Sequence, residues 1–308
     1  MDEPPLLAPD RRTGSLLGIG QISLDRVVQV DRLPRPGEKR RVLAEQTLPG
    51  GQVATALLAA ARLGVRCAFA GAVGDDEAGV RAAAPLAEAG ISLEHLRRLS
   101  SVASREALVL VEEGSGERSI LERRPGGLRL PVPPVPGAEV AAAGLLLVDC
   151  EHLEAARWAA GEARAAGVPV VVDADRASEP VLELLRSVDF PIVSMGFADE
   201  ISRGFSLPDA LRALRGPRTR LAVVTCGARG SLALYGERVI QTPTLETRVV
   251  DTTGAGDVFR GAFAWALLTG RGPSDALEAA NAAAALSCRG LGAQGALPSV
   301  EEIESRLG

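Results

Sequence analysis

The chain has 308 residues, of which 46% are hydrophobic and only 3% aromatic, with a formal net charge of −5. This length suits one large α/β domain, residues 1–308, with a core of Leu, Val and Ala. An acidic balance without a Lys/Arg cluster argues against a nucleic-acid partner, and no uncharged apolar run approaches the ~18 residues of a membrane span.

The four cysteines, at 67, 150, 226 and 288, lie in or beside apolar runs without metal-ligand spacing. They read as free thiols in a reducing compartment. Residues 1–13 are proline-rich and charged, with no apolar signal region, so a cytoplasmic protein is expected.

In chain order, residues 16–20 read as a short buried strand leading towards Asp25, either a turn residue or a ligand-contacting carboxylate at a strand end. Residues 26–48 and 101–123 form two strand-rich patches that interrupt an otherwise alternating pattern. Pro49-Gly50-Gly51 opens a helix over 52–63. A strand at 67–73 follows, then Asp75 and Asp76 as helix N-cap residues, with the helix ending at Gly90. Residues 131–136 are a proline-rich connector. A strand at 144–149 precedes Glu151 and His152, and His152 reads most simply as structural. After a helix over 155–166, the strand at 168–172 ends in Asp173, Asp175 and Arg176. Acidic residues at two successive parallel strand ends imply one shared crevice. Further strands at 191–193 and 221–225 lead to Ser194 and to Gly227 and Gly230. A hairpin over 231–240, an alanine-rich helix at 276–288 carrying Asn281, and a last helix at 299–307 complete the chain. The alternation predicts an α/β fold, an open and mostly parallel sheet with helices on both faces.

The most informative stretch is Asp251-Thr252-Thr253-Gly254-Ala255-Gly256-Asp257. Residues 249–250 read as the end of a strand. Phe259, Ala262, Phe263, Ala266 and Leu267 fall on one face of a helix that Gly270 ends. The unpaired N–H groups and positive dipole end of that helix suit an anion, and Gly254 and Gly256 let it approach the backbone. Asp257 is then either a first-turn acid favoured by the dipole or a general base beside a phosphoryl group. A dinucleotide fingerprint is ruled out by Phe259 at the third glycine position, and a Walker loop by the absence of Gly-Lys-Ser/Thr, Lys39 being the only lysine.

This stretch resembles the C-terminal signature of the ribokinase-like (PfkB-type) carbohydrate kinases. The resemblance runs from about residue 16 to 298 and is nearest in feel to ketohexokinase and sulfofructose-type kinases. It implies ATP as phosphoryl donor with Mg2+, Asp257 as catalytic base, and the amides of Gly254, Ala255 and Gly256 as anion hole. It implies that Asp25, Gly50, Gly51, Thr55 and Arg176 contact the sugar, with Thr55 standing where the family usually has Asn. Ser194, Thr225, Gly227, Gly230, Thr252 and Asn281 fall at nucleotide-binding positions. Asp251 and Thr253 correspond to a monovalent cation (K+) site, and Glu200 to a magnesium–water contact, Phe197 replacing the usual Glu. The two strand-rich patches correspond to a β-sheet lid that often forms a dimer interface, which makes a homodimer an expectation. Arg260 or Arg176 is expected to provide the cationic contact to phosphate.

The expected function is therefore transfer of the ATP γ-phosphoryl group to a sugar hydroxyl, a ketose being preferred. A nucleoside acceptor, or a catalytically inactive sugar- or nucleotide-binding protein, stands as the alternative.

Overall fold

The computed structural model describes residues 3–8, 14–202 and 206–307. Its main sheet has nine strands: β1 (Leu16–Ile19), β4 (Cys67–Gly74), β5 (Ser92–Leu99), β8 (Leu145–Asp149), β9 (Val170–Ala174), β10 (Phe190–Ser194), β11 (Ala222–Thr225), β12 (Ser231–Tyr235) and β13 (Arg238–Thr242). Their spatial order is β13-β12-β11-β10-β9-β8-β1-β4-β5. From β11 to β5 every neighbouring pair is parallel, and the β12–β13 hairpin closes one edge antiparallel.

The strands are apolar on both sides because helices cover both faces. Alternate residues serve the two layers: Leu145, Leu147, Val171 and Ile192 face one, Leu146, Val148, Val172 and Val193 the other. On the first face lie α1 (Gln52–Arg62), α2 (Glu77–Glu88), α8 (Ala255–Leu268), α9 (Pro273–Ser287) and α10 (Val300–Leu307). On the second lie α3 (Gly137–Ala142), α4 (Leu153–Ala165), α5 (Glu179–Arg186), α6 (Met195–Ser202) and α7 (Leu207–Leu214). Helix α8 is buried from Val258 to Leu268, wedged between the sheet, α1 and α9. Alanine and glycine on these helices allow close packing. The aromatic contribution is a small cluster, with Phe263 edge-on to Phe190 (5.7 Å) and parallel to Phe259 (6.3 Å).

A separate four-stranded sheet, ordered β3-β2-β6-β7, is built from β2 (Ser23–Val30), β3 (Val42–Gly50), β6 (Glu106–Glu112) and β7 (Arg118–Arg123). The two strand-rich patches thus combine into one lid, joined through the parallel β2–β6 pairing. Its inner face buries Val27, Val109 and Val111 against Leu48 and Leu291.

Two local expectations need correcting. Residues 92–99, placed in no element by the sequence pattern, are edge strand β5, whose mixed polarity hides it because only half of it is covered. Residues 249–250 are not a strand. Their backbone is held by α9 instead, Val250 N and Asp251 N both donating to Cys288 O. Asp76 caps α2 as expected, accepting from Gly79 N at 2.8 Å, and also accepts from Ser104 N at 2.8 Å. All four cysteines are free thiols.

Candidate active site

Parallel strands bring their C-terminal ends to one edge of the sheet. There Asp149 and Asp173 are register partners on β8 and β9, and Ser194 and Thr225 on β10 and β11. The N-terminus of α8 points at the same edge, delivering Asp257.

Gly254 caps α8 in a left-handed conformation (φ 75°), which only glycine adopts cheaply. The loop before it is tied on two sides. Asp251, fully buried, accepts from Thr253 N at 2.8 Å and from Gly292 N at 2.7 Å, clipping the loop to residues 289–295. Thr252 Oγ1 donates to Gly116 O at 2.7 Å, clipping it to the lid turn. Ala255 N donates weakly to Thr252 O (3.3 Å), whereas the amides of Gly254 and Gly256 find no acceptor among the described residues. Two open donors at a helix N-terminus constitute an anion site.

Asp257 is half-buried beside this site. Burial holds its carboxyl well above the usual range. Negative charge from Asp173 and Asp149 adds to that effect, and Arg260 and Arg118 oppose it. Burial likewise raises the pKa of Asp173, to about 6. Asp149, 1% exposed, accepts from Gln21 N at 2.6 Å and Glu151 N at 3.0 Å, and burial pushes it up to about 7. Arg260 lies 2.6 Å from Asp173, both side chains buried, so it neutralises part of this acidic floor from below. An aspartate whose proton affinity is raised, set one turn from open amides, is equipped to accept a proton from a bound hydroxyl.

Asp25 stands across the crevice at the base of the lid. Ser23 Oγ donates to it at 2.8 Å, and burial raises its pKa to about 6. Gly50 is required here because a Cβ would overlap Asp25 Oδ2, and Gly51, at φ 99°, lies against the backbone of Ile22. Thr55 is fully buried, and Gln294 Nε2 donates to its hydroxyl at 3.3 Å. Beside Asp25, buried Arg105 bridges Glu122 of the lid (2.6 Å) and Glu151 of the body (2.5 Å).

Other expected positions have visible duties. Ser194 Oγ accepts from Phe197 N at 3.2 Å at the start of α6, and Phe197 belongs to the core. Thr225 Oγ1 donates to Val193 O at 3.4 Å. Gly227 and Gly230 flank a 3-10 turn at positive φ (58° and 80°). Asn281 is buried with its amide donating to Ser231 Oγ (2.8 Å) and Leu277 O (3.0 Å), bracing α9 against the hairpin. Glu200 accepts from Ala177 N at 3.1 Å on the surface. Arg176 is engaged with Glu122 at 3.0 Å. Neither arginine expected from the sequence is free for phosphate, since Arg260 is held by Asp173.

The sequence reading missed Arg118, Arg105 and Glu122. Each lies in a strand-rich segment where one charged residue looks like the next, and only the lid's placement singles them out. His152, at the N-cap of α4, makes no side-chain cap hydrogen bond, and burial lowers its pKa.

Known proteins share this architecture. The description "pfkB family carbohydrate kinase" matches residues 14–300. The chain is 31% identical to a ribokinase of Arabidopsis thaliana, over 98% of this chain and 83% of the relative. Among solved structures, a putative ribokinase from Agrobacterium tumefaciens superposes with a TM-score of 0.88 at 28% identity, covering 96% of this chain and 97% of that one. The Arabidopsis thaliana ribokinase complexed with ribose and ATP gives a TM-score of 0.79 at 27% identity, covering 96% and 99%. The chain belongs to the pfkB family of carbohydrate kinases.

Proposed function

We propose that the protein transfers the γ-phosphoryl group of ATP to a hydroxyl of a small sugar, with Asp257 as general base. The observation that carries this reading is the raised-pKa carboxylate of Asp257 within one helical turn of the open Gly254 and Gly256 amides. Asp257 takes the hydroxyl proton as the sugar oxygen attacks phosphorus. The Gly254, Ala255 and Gly256 amides receive the charge of the moving phosphoryl group, Ala255 releasing its weak turn bond. Asp25 accepts from sugar hydroxyls, while Gly50, Gly51 and the Thr55–Gln294 pair shape the floor beneath them. Arg176 closes the rim through Glu122. The lid keeps water out, so that ATP is not hydrolysed.

The nucleotide lies along Ser194, Thr225, Gly227, Gly230 and Thr252, whose backbones line the neighbouring strand ends. Asn281 supports that wall rather than touching the base. Magnesium bound with ATP would neutralise charge on the phosphate oxygens, and Glu200, on the helix that follows Ser194, would hold it through water. The buried Thr253 hydroxyl has no hydrogen-bond partner among the described residues, and with the Asp251 carboxylate it forms an oxygen pair suited to a monovalent cation such as K+. The lid exposes Val42, Leu43, Ile120 and Leu121, with Leu121 on the face opposite the buried Val109, which supports a homodimer formed through the lid.

The ribokinases among its relatives put ribose first among acceptors, and the ketose expected from the sequence is tested beside it. ADP release is measured with MgATP and a panel of pentoses, ketoses, their phosphates and nucleosides, in K+ and in Na+ salts. Sugar-dependent turnover that falls at least ~10²-fold in Asp257→Asn supports the reading. Tight sugar binding without turnover on any acceptor sinks it in favour of a binding protein.

A further inference from the structure

The row of lid residues that carries Asp25 runs into a ring of charge. Through the β2–β6 and β6–β7 pairings, Asp25, Ala107 and Glu122 lie side by side on the lid's inner face, the face that buries Val27. Neighbouring strands are ~4.8 Å apart, so the two carboxylates start from backbones roughly 10 Å apart with only a methyl group between them. That gap is a bay for the acceptor. At its base sits Arg105, the residue before β6, 4% exposed. Its backbone is fixed by two contacts. Leu24 N donates to Arg105 O at 3.0 Å, and the neighbouring Ser104 N donates to Asp76 at 2.8 Å.

The guanidinium of Arg105 reaches both ways. Nη2 meets Glu122 Oε1 of the lid at 2.6 Å, and Nη1 meets Glu151 Oε1 of the body at 2.5 Å. Arg124 meets the other oxygens of the same two carboxylates, Glu122 Oε2 at 2.6 Å and Glu151 Oε2 at 3.4 Å. Two arginines and two glutamates thus alternate in a closed ring across the joint between lid and body. Glu151 is in turn tied to the acidic floor, its N–H donating to Asp149. Burial acts to raise the carboxyls of Glu122 and Glu151, yet the arginines hold both below the usual range. Exposed ion pairs contribute little to stability. Here the central member is buried, where loss of one partner leaves charge uncompensated, and only a planar fork serves two carboxylates at once.

Resting on the kinase reading, we propose that Arg105 is a positioning residue for acceptor binding, clamping the base of the lid to the body and holding Asp25 over the sugar hydroxyls. Arg105 touches no reacting atom. Its first effect is geometric: Asp25 and Glu122 keep their places at the two sides of the bay only while the ring spans the joint. The second is electrostatic. Asp25 accepts from two hydroxyls at once only as a carboxylate. Burial favours its protonated form, the Ser23 hydroxyl and Arg105 oppose that, and Glu122 adds to it. The other charged residues packed near β2, namely Arg26, Glu45, Glu77, Arg81 and Glu106, serve the opposite face of the lid. Arg105 is therefore the cation that keeps Asp25 ionised.

The test uses the full chain as wild type, Arg105→Met, Arg105→Lys, Glu151→Gln and, as control, Arg123→Ala, an exposed arginine paired with Glu106 on the lid itself. Hydrogen exchange of the ligand-free proteins reads the clamp. Amides of β2 and β6 should exchange at least ~10-fold faster in Arg105→Met and Glu151→Gln, and as in wild type in Arg123→Ala. Glu151→Gln removes only the body end of the bridge and keeps the test open if Arg105→Met does not fold. D-ribose and D-fructose, titrated in the presence of MgADP, read the bay. Arg105→Met should weaken sugar binding and raise the sugar KM at least ~10-fold, with MgATP affinity and kcat at saturating sugar within ~3-fold of wild type. Wild-type sugar affinity should fall as pH drops through about 6, where Asp25 takes up its proton. Arg105→Met should move that fall to higher pH, whereas Arg105→Lys, which keeps the charge but not the fork, should leave it in place and still speed exchange. Unchanged exchange, an unmoved pH fall in Arg105→Met, or equal weakening of sugar and MgATP overturns the proposal. Should neither sugar bind wild type, exchange decides by itself. A wild type that binds a sugar without turning it over would reject the kinase reading, while the shifts in binding uphold the role of Arg105.

Discussion

Replacing Gly254 by alanine tests whether the anion hole depends on the left-handed turn that starts α8. A Cβ at this position would stand 2.6 Å from Ala293 Cβ, 2.7 Å from Ala293 Cα and 2.9 Å from its carbonyl oxygen. Ordinary carbon contacts lie near ~3.5–4.0 Å, so loop or helix must retreat by about 1 Å. The neighbour is backbone already clipped to Asp251 through Gly292, so the retreat falls on the anion-hole loop. Left-handed backbone costs alanine about 1–2 kcal/mol, and overpacking of this kind adds roughly 1–3 kcal/mol. At about 2 °C per kcal/mol for a chain of this size, Tm should fall by about 4–10 °C. A displacement of about 1 Å at the transferring group should lower kcat by about 10²-fold. Gly64 supplies the control. Its φ is 89° and nothing lies within 4 Å of a Cβ placed on it, so Gly64→Ala carries the backbone strain alone. Its Tm should drop by about 2–4 °C with kcat unchanged. Calorimetry and coupled ADP release on both variants decide the matter. If Gly254→Ala melts with Gly64→Ala and retains its kcat, the steric account of the anion hole is wrong.

Three further predictions concern charge and assembly. Because the Asp257 carboxyl is raised, kcat/KM should climb with pH until this group is ionised and then level off. Asp149→Asn removes one of the negative charges acting on it and should move the climb to lower pH; an unmoved climb would show that Asp149 does not act on the base. The Asp149 carboxyl binds its proton more tightly folded (about 7) than unfolded, so it lowers stability as pH rises between about 4 and 7. The same variant should flatten the fall in Tm across that window. For the lid, sedimentation should show a wild-type dimer that Leu121→Glu converts to monomer, since Leu121 is 58% exposed on the outer sheet; a monomeric wild type, or a dimer indifferent to the substitution, would remove the lid as the interface.

Much of this protein is legible in its sequence because the relevant signals are local. The periodicity after Asp257, the glycine pair at 254 and 256 and the apolar runs at 144–149 and 168–172 each describe a few consecutive residues. Strand–helix alternation then places their ends on one edge, since parallel strands all finish on the same side. A crevice shared by the acidic ends of those two strands could be expected on those grounds, and the structure adds Asp257 to Asp149 and Asp173 there. Partners drawn from distant parts of the chain could not be read this way. Glu122 meets Arg105 and Arg176, Gln294 meets Thr55, and Arg118 meets Thr252 across 134 residues. Nothing in the spacing of these residues marks them, because each pairing depends on how the lid sheet closes over the strand ends. The sequence by itself determined the α/β class and the turn that bears Asp257. Tertiary structure decided which charges surround that carboxylate, because electrostatic contact depends on distance in space, which the order of residues along the chain does not record.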